Sequence, residues 1–231
     1  MIRTTSVSGY VRLRPLNSAA TVRGTVTATS ELSALRCASV SRGIVLWPDD
    51  NASHLIRTVW DEIASQGLPS MATHTHRLHK PHVSLTVAEY MPVRAALEAA
   101  QPLPSQPIKL LVESAGVFPS ESPFRPVTSD RAGRCGFLFL ACVADCGLLE
   151  EQRRVHGAVR SLEVRPWPHF DPGTWTPHIT SGWGLTPEQL ARALPIVLDR
   201  LPIEGWLERG GVEDGSTGEH WTSPEGLSSE F

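Results

Sequence analysis

The strongest constraint on this chain is that it repeats itself. Lys80-Pro81-His82-Val83-Ser84-Leu85 returns as Thr176-Pro177-His178-Ile179-Thr180-Ser181, and the surroundings return with it. Residues 43–47 read as an apolar strand closed by Pro48. Ala52, Leu55, Ile56, Val59, Trp60 and Ile63 then fall at helical spacing, with Asp50 or Asn51 as the cap and Gly67 as the stop. A strand over 82–89, a short helix opened by Pro92 and a long strand over 108–118 complete the first half. The second half offers a strand over 136–144, a helix over 147–162 and a strand over 176–183. A helix with the capping-box start Thr186-Pro187-Glu188-Gln189 and a strand over 203–213 follow. Asn51 to His82 spans 31 residues, and Gly147 to His178 spans 31 as well. The pattern predicts an α+β fold of two pseudo-twofold-related strand–helix–strand–helix–strand halves.

The repeat occupies residues 43–215, with lobe halves of about 43–118 and 136–213. Residues 1–42 hold six arginines and one acid, are rich in Ser and Thr, and lack periodicity. They read as a disordered or loosely attached tail. Residues 216–231 read as a C-terminal extension. The net charge of −3 gives no nucleic-acid signature for the whole chain. Cys37, Cys135, Cys142 and Cys146 form neither a Cys-x-x-Cys pair nor a secreted disulfide pattern, so reduced thiols and a cytoplasmic location are expected. Cys142 lies in an apolar run and reads as a buried small residue. No stretch approaches the ~20 apolar residues that span a bilayer.

The repeated motif carries the chemistry. Residues i and i+2 of a strand share a face, so His82 lies beside Ser84, and His178 beside Thr180, while Val83, Leu85 and Ile179 face the core. Phosphodiester cleavage needs one group to take a proton, another to give one to the leaving oxygen, and donors for the phosphoryl oxygens. Two imidazoles titrating near neutrality can do the first two, and the two hydroxyls the third.

Paired His-x-Ser and His-x-Thr on strands of two similar halves resemble the two-histidine phosphoesterase superfamily, in particular its 2′-5′ RNA ligase-like group. Leu85 fits the apolar final position of that superfamily's motif, and Ser181 departs from it. The resemblance spans roughly residues 43–215. It implies a bilobed fold whose sheets flank a central cleft, and cleavage of 2′,3′-cyclic phosphates or 2′-5′ linkages in ribonucleotides or RNA, sometimes run in the ligating direction. By carry-over, His82 and His178 are the acid–base pair, Ser84 and Thr180 bind the phosphate, and no metal or other cofactor is required. The expected partner is a ribonucleotide or an RNA end, with no membrane, no obligate protein partner, and a monomeric state.

Two rival readings stand beside this one. The same cleft could bind an RNA end or nucleotide without turnover. Alternatively, His74, His76, His79 and His82 could form the site of a metal-dependent hydrolase. For His74, His76 and His79 the plainer reading is solvated loop residues near a cleft, and for Lys80 and Arg77 it is surface charge. His156, on a helix, reads as structural. Tyr90, Phe118 and Trp183 sit near strand ends, where aromatics are more often core than base-stacking platforms. Which histidine is the acid cannot be read from the sequence.

Overall fold

A computed structural model of the chain describes residues 41–74, 78–121 and 134–222. The expected N-terminal tail up to residue 40, His76, Arg77, the middle of the 119–135 loop and the last nine residues lie outside them. The elements are β1 (Arg42–Pro48), α1 (Asp50–Ser65), β2 (Val83–Ala88), α2 (Val93–Ala100), β3 (Ile108–Glu121), β4 (Arg134–Cys142), α3 (Cys146–Arg160), β5 (His178–Leu185), α4 (Pro187–Leu198), β6 (Ile203–Asp214) and β7 (His220–Trp221). The strand–helix–strand–helix–strand order occurs twice, as the repeat predicts. The short β7 falls within the expected C-terminal extension and pairs with β6.

Local chemistry explains where the helices begin. Asp49 caps α1, its carboxylate accepting from the Ala52 amide at 2.8 Å, and Asp145 caps α3 by accepting from the Leu148 amide at 2.8 Å. A cap satisfies one of the orphaned amides of a first turn, worth about 1 kcal/mol. The caps therefore fall just ahead of Asp50, Asn51 and Gly147. Their spacing to the motif histidines is identical in the two halves, so the duplication holds. Asp49 also accepts from the Trp206 amide at 2.6 Å, which ties the start of α1 to β6. The capping box at Thr186 and Gln189 forms as expected. Along α1, Ala52, Ile56, Val59, Trp60 and Ile63 are buried. Leu55, expected in that stripe, is exposed.

The strands are hydrogen-bonded in the order β2-β1-β6-β3-β4-β5, all antiparallel, with β7 beside β6. The halves therefore exchange their last strands. β3 pairs with β4 of the second half, and β6 pairs with β1 of the first. At the centre, β3 and β6 pair with each other only over Ile108–Val112 and Ile203–Leu207. Beyond that crossing, β6 runs along β1 and β3 runs along β4, which divides the sheet into two lobes. The central pair is Leu110 with Gly205. Exchanging the halves about it turns the strand order into itself, and this is the pseudo-twofold that the repeat predicts.

Each half of the chain secures the motif strand of the other. The outer edge of β2 receives the Trp167 amide on the Val87 carbonyl (2.8 Å) and the Trp175 indole on the Ser84 carbonyl (3.0 Å). The buried Gln152 amide of α3 joins the Leu85 carbonyl to that of Phe170, at 3.3 and 2.7 Å. On the other side, the Met71 amide donates to the Ser181 carbonyl of β5 at 3.0 Å. Edge strands left bare would invite pairing with other chains, and these bonds cover both edges. They also bring β2 and β5, the ends of the strand order, into contact. The apolar core runs continuously beneath both lobes, and each fully buried Leu, Ile or Val in it is worth about 1.5–3 kcal/mol.

Among the described residues no helix is long and apolar enough to cross a membrane. Cys142 is buried as expected, and that burial pushes its thiol pKa up to about 12, which leaves it inert at neutral pH.

Candidate active site

The four residues singled out from sequence occupy equivalent places. His82, Ser84, His178 and Thr180 are half-buried, and they alternate with Val83, Leu85, Ile179 and Ser181, which are fully buried. The strand period thus carries the two histidines and two hydroxyls away from the core. Ser181 departs from the apolar motif position yet still lies in the core, where its hydroxyl has no hydrogen-bond partner among the described residues.

Both imidazoles are fixed in the same way. The Nδ1–H of His82 donates to the Lys80 carbonyl at 2.8 Å, and the Nδ1–H of His178 donates to the Thr176 carbonyl at 2.8 Å. A carbonyl can only accept, so Nδ1 carries the proton in each ring and Nε2 remains the atom that exchanges one. The prolines between donor and acceptor, Pro81 and Pro177, lock the backbone at the centre of this short loop. That gives the Pro-His pair in each motif a mechanical role.

The environments of the two rings then diverge. Glu213, near the end of β6, places Oε2 3.2 Å from His82 Nδ1 and Oε1 3.6 Å from His79 Nδ1, with its side chain almost fully covered. Burial disfavours the charged form of His82, but the charge of Glu213 and its hydrogen bond outweigh that cost and raise the pKa of His82 above 6.5. The same carboxylate, despite its burial, is held far below the ordinary range by the imidazoles of His82 and His79.

Among the described residues no carboxylate lies beside His178. Its ring meets Phe118 edge-on, with centroids 4.9 Å apart, and is tilted against Phe139 at 5.3 Å; the two phenyl rings stack at 4.2 Å. Burial in this aromatic wall lowers the pKa of His178, and the nearby charges of His82 and His169 lower it further. The two imidazoles therefore lie within electrostatic reach of one another, one favouring the cation and the other the neutral ring.

Glu213 and Phe118 correspond under the pseudo-twofold, since each lies equally far beyond the central Leu110–Gly205 pair along its own strand. The glycines two residues before them correspond too. A Cβ on Gly116 would lie 2.3 Å from the Phe139 ring, and one on Gly211 would lie 2.6 Å from the Trp47 ring. Gly116 makes room for the Phe139 ring, and Gly211 makes room for the Trp221 carbonyl, 2.2 Å from such a Cβ, as well as the Trp47 ring.

The sequence reading did not name Glu213 or the phenyl wall as part of the site. Its one available signal for Glu213 was an acid at the end of an apolar strand. His74 and His79 are not simply solvated. His74 stacks on His79 (5.5 Å) and on Trp183 (5.3 Å), and the His79 side chain is almost covered. Stacked rings pack face to face instead of converging their nitrogens, and no cluster of three potential metal ligands occurs among the described residues. Tyr90 is exposed. His156 is buried between Thr86 (3.3 Å) and Asp171 (3.2 Å), which suits a structural residue.

No family model matches the chain, and no curated protein matches it. Among solved structures it is similar to Kluyveromyces marxianus Usb1, at 11% identity and a TM-score of 0.44, covering 78% of this chain and 96% of that one. The structure of the same protein with uridine monophosphate gives 11% identity and a TM-score of 0.42, covering 79% and 97%. A likeness this distant carries no inference about activity.

Proposed function

We propose that this protein is a metal-independent phosphodiesterase acting on 2′,3′-cyclic phosphates or 2′-5′ linkages of ribonucleotides or RNA, with His178 as general base and His82 as general acid. One observation carries the reading. Two equivalent imidazoles, each tied through Nδ1 to the carbonyl two residues upstream, are biased toward opposite charge states. Paired titratable groups pushed apart by their surroundings are the mark of an acid and a base working together.

In hydrolysis of a cyclic phosphate, Nε2 of neutral His178 accepts a proton from water as the water oxygen bonds to phosphorus. Nε2–H of protonated His82 gives its proton to the ribose oxygen as that P–O bond breaks. The product is a phosphate monoester and a free hydroxyl, and proton exchange with solvent resets both rings. Ser84 and Thr180 donate to the nonbridging oxygens, where charge accumulates. With the hydroxyl of a second RNA end in place of water, the same proton transfers join that oxygen to phosphorus as the ring P–O bond breaks, which is the ligating direction. Because the base has the lower pKa and the acid the higher, the productive pairing of charge states is the dominant one between the two pKa values. With the roles exchanged it would be the rare one.

The test is hydrolysis of the four 2′,3′-cyclic nucleoside monophosphates in excess chelator by wild type, His82→Ala and His178→Ala. Turnover that resists chelator and falls by about a hundredfold or more in each variant is expected. Turnover abolished by chelator, or retained in either variant, would remove the paired-histidine reading. Nucleotide binding with no turnover at all would favour a binding protein.

A further inference from the structure

A cavity of about 950 Å³ opens beside the loop that leads into His82 but is lined by neither motif histidine. Its walls are the end of β1, the first turns of α1, the Lys80–Pro81 loop, the middle of β6 and β7. Three cations face it, Arg57 from α1, Lys80 from the loop and Arg209 from β6, against two acids, Asp50 and Glu208. Arg209 pairs with the exposed Asp50 at 2.9 Å. Arg57 makes no hydrogen bond or ion pair among the described residues. Lys80 lies over the Trp47 ring, 5.8 Å from its centroid, and contacts the His220 ring, an aromatic support with no negative charge. Burial and the charges of Arg57 and Arg209 make the Lys80 cation less comfortable, and the charge of Glu213 offsets this only in part. Like charges gathered in a concave wall are costly in the free protein, and an anion placed among them relieves that cost.

The cavity and the catalytic pair are joined through one residue. The Lys80 carbonyl holds His82 Nδ1 at 2.8 Å, while the Lys80 side chain lines the cavity. The volume is at the upper end for small-ligand sites, which leaves room for more than a single nucleotide. A lone cyclic nucleotide needs only the histidines and hydroxyls. The cations beyond them have a purpose only for a ligand that carries further negative charges away from the reacting bond.

We infer that this groove seats the backbone phosphates of a single-stranded oligoribonucleotide running on from the bond held between His82 and His178, so that the substrate is an RNA chain and not a mononucleotide. The inference rests on the phosphodiester reading of the histidine pair, yet its test does not depend on turnover. Phosphate contacts release counterions, so they appear as salt dependence of binding.

The probe is a fluorescently labelled 2′-O-methyl oligoribonucleotide, which cannot form a cyclic phosphate. Its binding to the full-length protein is followed by anisotropy across a salt series, with a nucleoside monophosphate as the short comparison. Wild type should bind the oligomer more tightly than the monophosphate. Arg57→Gln and Lys80→Gln, both changes of groove-facing cations, should each weaken oligomer binding about fivefold at low salt. Each should also flatten the slope of log K against log salt by about 0.7. Arg200→Gln, which breaks an exposed pair with Glu62 away from the groove, should change neither quantity. Equal affinity for oligomer and monophosphate, or an unchanged salt slope in both groove variants, would overturn the inference. Loss of oligomer binding in the groove variants of a protein that never turns over a phosphodiester would uphold the groove and sink the catalytic reading instead.

Discussion

Glu213 and Phe118 hold corresponding positions in the two halves of the fold, and each lies against the histidine of its own lobe. Glu213 is 3.2 Å from His82, and the Phe118 ring is 4.9 Å from that of His178. The duplication supplies two equal imidazoles, and this single difference makes them unequal. A carboxylate stabilises the cation on one side, and on the other a phenyl ring excludes water and offers no countercharge. Under the proposed mechanism, an acid and a base thus arise from one repeated motif.

Removal of the carboxylate should undo half of that division. In Glu213→Gln, His82 keeps its burial and loses its countercharge, so its pKa falls. The acid must be protonated to act, and activity disappears as pH rises through that pKa. The alkaline limb of kcat/KM should therefore move to lower pH, with kcat at pH 8 reduced about ten- to a hundredfold. An alkaline limb that stays in place would show that Glu213 does not govern His82.

The reciprocal change acts on the other limb. Phe118→Glu sets a carboxylate beside His178 and favours its cation, raising its pKa. The base must be neutral, so the acidic limb of the pH profile should move to higher pH and activity below pH 6.5 should drop. A limb that moved downward, or one that did not move, would separate Phe118 from the titration of His178.

Gly116 is tested by bulk. An alanine Cβ would lie 2.3 Å from the Phe139 ring, which packs against His178. Gly116→Ala should cost about 1–3 kcal/mol in urea unfolding. It should also lower kcat on a cyclic nucleotide as the phenyl wall shifts. Full stability and full kcat would mean that the wall accommodates a methyl group without moving the histidine.

Ser181 offers the opposite outcome. Its hydroxyl is buried with no partner, while its carbonyl does the work of accepting from Met71. Ser181→Ala removes the unpaired group and leaves the backbone bond. Unfolding should show a protein as stable as wild type or up to about 1 kcal/mol more stable. A loss of more than that would reveal a hidden partner for the hydroxyl.

The duplication was legible because it rests on short-range signals: helix caps, apolar periodicity and the Pro-His pairs all act within a few residues of one another. The four motif residues could be read for the same reason. The strand exchange could not, since pairing β6 with β1 and β3 with β4 is a choice among distant partners that local propensity does not rank. Glu213 was hidden by that exchange. It belongs to the second half in sequence and to the first lobe in space, so its place beside His82 follows only from the β1–β6 register. His79 was misjudged from its polar loop, because the cover over it comes from residues far along the chain. Phe118 was recognised as an aromatic near a strand end, but its contact with His178 depends on the same exchange of strands.

The division of labour between the histidines is tested most directly by changing the leaving group. A phosphodiester with a 4-nitrophenyl leaving group departs without help from an acid, whereas one with an alkyl alcohol needs it. The account predicts that His82→Ala loses about a hundredfold or more on the alkyl ester and recovers most of its activity on the nitrophenyl ester, while His178→Ala stays impaired on both. Recovery in His178→Ala with none in His82→Ala would reverse the roles of the two residues and contradict the account.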